Sequence, residues 1–88
     1  MILQNKNFGG KFSTFELLNV IVGAPRADGY SIAELQEILE LRKLIDISKT
    51  EIELTKKQVE KIQQFVKGHK FGAFDEAFIE FANQINNV

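Results

Sequence analysis

Cysteine is absent from this chain, which removes disulfides, thiolate metal ligands and thiol nucleophiles together. Histidine is almost absent: His69 stands alone, and one imidazole without a second His or any Cys is a poor start for a transition-metal site. Tryptophan is missing and Pro25 is the only proline. No apolar run approaches the roughly 18 residues needed to cross a bilayer. The opening "MILQNKNFGG" lacks a basic segment followed by a long apolar one, so no secretory leader is expected. These absences point to a cytoplasmic protein with no membrane contact. Glycine-rich phosphate loops are missing as well. "FGG" and "FGAF" carry too few glycines, and no Gly-Lys-Ser/Thr follows either.

Net charge is close to nil, at −1 over 88 residues, but the two signs are segregated. The segment from Arg42 to Lys70 carries +4 and the remainder −5. Such a division can orient a partner or a second copy of the chain. The aromatic complement is equally uneven, with eight Phe and a single Tyr. Phe buries a large area without needing a hydrogen-bond partner, so the core is expected to be built on it.

Helix starts are written three times in one idiom. "STFE" at Ser13–Glu16, "SIAE" at Ser31–Glu34 and "TKKQ" at Thr55–Gln58 are capping boxes, in which a hydroxyl and a carboxylate or amide satisfy each other's backbone N–H groups. The first helix ends at Gly23, before Pro25; the second is expected from Ile32 to about Ile47, with Leu35, Ile38, Leu39, Leu41, Leu44 and Ile45 as a broad apolar stripe. The third carries Val59, Ile62, Phe65 and Val66 on one face and ends at Gly68. In the last, Phe74, Phe78, Phe81 and Ile85 recur at intervals of four, three and four, the most regular amphipathic pattern of the chain. "TEIEL" alternates like a short strand, with "MILQN" as its partner, and "NFGGKF" reads as the alternative, an N-terminal β-ribbon. The expectation is one mainly α domain over residues 1–88: a compact four-helix domain with a small N-terminal β-ribbon or two-stranded β patch. A chain of this length cannot support two independent cores.

"GYSIAELQEILELRKLIDIS" opens like one helix of a helix-turn-helix DNA reader. That unit needs a sharp turn after its first helix, commonly at a glycine. Here Glu40 occupies the place, and glutamate favours continuing the helix. One uninterrupted helix is expected.

Chemistry is hard to find. His69 sits in "KGHKFG", with Asp75 and Glu76 as the nearest carboxylates, and reads as a helix-end residue. The pairs Glu34/Glu37, Glu51/Glu53 and Asp75/Glu76 mark no cleft. The chain is read as no enzyme, with neither cofactor nor metal. Its surfaces are the better guide. Lys56, Lys57, Lys61 and Gln64 form a basic third-helix face, while Phe74, Phe78 and Phe81 line the last helix. Eight Phe and many aliphatics exceed what four short helices can hide, and an uncovered apolar strip is expected on the first or last helix. The favoured role is a non-catalytic protein-interaction module, a small adaptor, regulator or inhibitor that binds a protein partner or forms a homodimer. The alternative is a nucleic-acid-binding regulator in which Lys56, Lys57 and Lys61 meet phosphates and Gln58, Gln63 and Gln64 reach base edges.

The layout from Phe15 to Ile85, with its opening helix, "GYSIAELQEILELRKLID", a short extended segment, "ELTKKQVEKIQQFV" and a final amphipathic helix, resembles small uncharacterised proteins of tailed bacteriophages. That resemblance implies a virion-accessory or host-interaction role and supplies no functional residue.

Overall fold

A computed structural model describes all 88 residues. The order is β1 (Ile2–Gln4), β2 (Asn7–Phe8), β3 (Phe12–Ser13), α1 (Thr14–Val22), α2 (Ile32–Leu44), β4 (Glu51–Glu53), α3 (Lys56–Gly68) and α4 (Glu76–Asn86). Both β readings are realised side by side. β1 pairs antiparallel with β4, setting Leu3 against Ile52, and β2 pairs with β3, setting Phe8 against Phe12. Gly9 and Gly10 both hold positive φ, and the Lys11 amide returns to the Phe8 carbonyl at 3.1 Å. Two consecutive left-handed residues are what a twisted two-strand ribbon requires of its turn, and only glycine takes them up without strain.

The capping motifs act as written, with one exception. Ser31 accepts from the Glu34 amide while Glu34 accepts from the Ser31 amide, each at 3.2 Å. Thr55 and Gln58 make the same exchange at 3.2 and 2.8 Å. Ser13 accepts from the Glu16 amide at 3.3 Å, but the return bond is not made; Ser13 is instead paired with Asn7 as the last residue of the ribbon. Asp75 caps α4 through the Ala77 amide at 3.0 Å.

α2 winds straight through Glu40, as a glutamate there favours, and stops earlier than its periodicity suggests, at Leu44. The Asp46 carboxylate accepts from both the amide and the hydroxyl of Ser48, at 2.9 and 2.7 Å. This local turn competes with further helix. The Asn19 amide group then anchors the helix end by donating to the Ile45 carbonyl at 2.9 Å.

The core joins Leu3, Ile52 and Leu54 to Phe15, Leu18, Ile21 and Val22 of α1, Val59, Ile62 and Val66 of α3, and Phe81 and Ile85 of α4. α1, α3 and α4 surround it. α2 lies to one side, with α1 as its principal helix neighbour. It sinks only Ile38 and Leu41, with Ile45 just beyond its end. The ribbon closes the core through aromatic contacts: Phe8 and Phe12 meet edge to face with Phe81 at 6.1 and 6.3 Å between ring centres. No helix is long and apolar enough to cross a membrane.

Candidate interaction surface

The broad stripe expected on α2 divides in two. Ile38, Leu41 and Ile45 face the core, whereas Leu35 and Leu39 are exposed together with Ile32. Spacings of three and four put Ile32, Leu35 and Leu39 on one helical stripe. The reason is geometric: these positions lie around the helix from the buried set, on the side that α1, the principal helix neighbour of α2, does not cover. From α1 comes Val20, and from the turn after α2 comes Ile47; with Leu39 they lie in one shallow groove. These five aliphatic side chains are between 46% and 72% exposed. Glu16 and Asn19 of α1 and Arg42 and Lys43 of α2 complete the groove. None of the three charged residues forms an ion pair within the chain, although Lys11, Arg26 and Lys61 each do.

The Phe-rich face is distributed differently from its expectation. Phe81 is completely enclosed and is unavailable to a partner, because the last helix turns this position toward both the ribbon and the core. Phe78 is half-buried between Phe12 and Phe71, at 5.6 and 4.5 Å between ring centres. Phe74 precedes the Asp75 cap, so it stands outside α4 rather than on its face, and is 84% exposed. Sequence periodicity extends through Phe74, but the helix does not. Of the three rings, only Phe74 projects freely.

On α3, Lys56, Lys57 and Gln64 are exposed. Lys61 lies 3.3 Å from Glu37 and 5.7 Å from the centre of the Phe65 ring. The groove between α2 and α3 sets Glu37, Glu40 and Glu60 beside Lys57 and Lys61, so carboxylates from α2 offset the positive charge that a phosphate would seek. Gln58 is occupied in the capping box, and the Gln63 amide group donates to the Ile85 carbonyl at 3.1 Å. Neither is free to read a base edge; Gln64 is the remaining glutamine.

The other polar groups have structural partners. Asp75 is held below its ordinary carboxylate value by the Lys11 ammonium, 2.6 Å away, and then by the Ala77 amide. Glu34 is lowered chiefly by the Ser31 amide and next by Arg26, whose own pKa the same contact raises. Asp46 is lowered by the Ser48 amide and hydroxyl. His69 packs edge-on to Phe71 at 4.7 Å, while the nearby Asp75 is engaged by Lys11 and its own helix. No three His, Asp or Glu side chains converge in a way that could hold a metal ion.

The uncovered strip expected on the first or last helix lies instead mainly on α2, with Val20 as the contribution of α1. Ile32, Leu35, Ile38, Leu39, Leu41 and Leu44 span far more of one helix than a single packed layer covers. What the sequence alone leaves undecided is which part stays outside. No known family model matches the chain, and no curated protein or solved structure matches it either.

Proposed function

We propose that this protein is a non-catalytic interaction module, a small adaptor, regulator or inhibitor, that docks a protein partner on the aliphatic face of α1 and α2. One observation carries the reading: Ile32, Leu35 and Leu39 remain exposed on α2, the helix that contributes least to the core, with Val20 of α1 and Ile47 of the following turn exposed beside Leu39. Scattered exposed aliphatics are ordinary, but a grouped strip with a polar border has the anatomy of a contact surface. Here Glu16, Asn19, Arg42 and Lys43 supply that border. The Lys-rich face of α3 supports a nucleic-acid role less well, because Glu37, Glu40 and Glu60 lie within the same groove.

Photo-crosslinking in the cells that make the protein tests the proposal, with a diazirine side chain at position 39 and, separately, at position 57. Adducts to protein from position 39 and none from position 57 are expected. Nucleic-acid adducts from position 57, with none of any kind from position 39, would overturn the reading.

A further inference from the structure

We infer that the occupant of the α1–α2 face is a second copy of this chain, placed by a two-fold axis running along the groove. The inference rests on the reading of that face as a contact surface and names its partner. Charge is divided across the groove. One wall, from α1, carries Glu16; the other, from α2, carries Lys43, while the Arg42 guanidinium reaches across to lie against Gly23 at the end of α1; Val20, Leu39 and Ile47 lie with them. A two-fold interface uses the same patch twice, so that a residue on one wall meets its counterpart's opposite wall. Rotation about an axis along the groove brings the acidic wall of each copy over the basic wall of the other. The aliphatic side chains then face one another in the middle. A surface bearing one sign of charge would repel its own copy; this one is complementary to itself.

The ionic state of the face points the same way. Glu16, Arg42 and Lys43 have no ion-pair partner within the chain. Arg26 and Lys61, on neighbouring surfaces, are paired with Glu34 and Glu37. Glu16, Arg42 and Lys43 are therefore free to pair with a second copy. A net charge of −1 adds little long-range repulsion between copies.

Size sets the strength. A standard stable interface takes about 20–30 residues from each partner, and this face is smaller. The dimer is therefore expected to be a weak one, in the micromolar range, that exchanges readily.

Sedimentation velocity on the full chain from about 1 to about 500 μM, a range that brackets such a Kd, provides the test. The wild type should pass from monomer to dimer. Leu39→Asp should weaken association at least about tenfold, as loss of a central apolar contact does. Far-UV circular dichroism of Leu39→Asp at the lowest concentration checks that the variant is folded. Glu16→Lys should also weaken the dimer, and adding Lys43→Glu to it should restore part of the loss, an outcome that only cross-copy pairing produces. A monomer throughout the range, or a dimer indifferent to both Leu39→Asp and Glu16→Lys, would overturn the inference. If the wild type is monomeric while position 39 still crosslinks to a different protein, the second-copy inference fails and the interaction reading stands. If position 39 gives no protein adduct of any kind, both fail.

Discussion

The Thr14 hydroxyl donates to the Gln84 side-chain carbonyl at 2.7 Å, joining the first turn of α1 to α4 across 70 residues of sequence. Thr14 is the one fully enclosed polar residue. It also accepts from the Lys6 amide at 3.0 Å, and Gln84 passes the connection on by donating to the Gln4 carbonyl at 2.7 Å. The short N-terminal strands are thereby fixed to the helical layer. Thr14→Val keeps the shape and leaves the Lys6 amide without its acceptor. Loss of such part-buried hydrogen bonds costs about 0.5–1.5 kcal/mol each, which thermal unfolding should register as a lower melting temperature.

A second connection, between Lys11 and Asp75, should contribute to the acid limb of stability alongside Glu34 and Asp46. Asp75 is held below its ordinary value by Lys11 and by the amide it caps. An unfolded Asp titrates near about 3.9. The folded value is lower, so the contribution is fully present above that pH and is lost as pH falls through the depressed folded value. Asp75→Asn retains a capping oxygen and removes the charge. Denaturant midpoints measured between neutral pH and strong acid should fall less steeply for the variant than for the wild type.

The aromatic residues should separate sharply when truncated. Phe81 is enclosed and meets both Phe8 and Phe12, so Phe81→Ala should cost about 3–5 kcal/mol. Phe74→Ala, at an exposed position ahead of the α4 cap, should stay within about 0.5 kcal/mol of the wild type. Chemical denaturation of the two variants measures the difference.

Glu40 provides a test of helix continuity. Glu40→Gly introduces the residue that a helix-turn-helix unit places at its turn, at a helix-propensity cost of about 1 kcal/mol. Ile38 and Leu41 flank it and remain buried, so the helix should persist. Circular dichroism should show most of the helical signal retained, with a reduced denaturant midpoint.

Local chemistry was the most legible part of this sequence. Ser31 with Glu34 and Thr55 with Gln58 locate two helix starts because each motif is completed within one turn. The paired glycines at 9 and 10 give the ribbon turn for the same reason. Tertiary consequences were less accessible. Whether Leu39 or Ile38 enters the core depends on where α1 lies, and whether Phe74 belongs to α4 depends on Asp75 being recruited as its cap. Lys61 reads as a free cation until the fold brings Glu37 to 3.3 Å. The candidate site is the remainder of these competitions, the apolar side chains that the core did not accept, and periodicity along one helix does not rank them.

A contact surface made of that remainder must be dispensable for folding. Thermal unfolding of Leu39→Lys, at a protein concentration low enough for the wild type to be monomeric, tests this most directly. For a domain of this size each kcal/mol moves the midpoint by about 4–8 °C. The variant should melt within a few degrees of the wild type, since Leu39 lies more than half in water. A fall of about 10 °C or more, beyond a full kcal/mol, would show that Leu39 holds the fold together and would contradict its assignment to a contact surface.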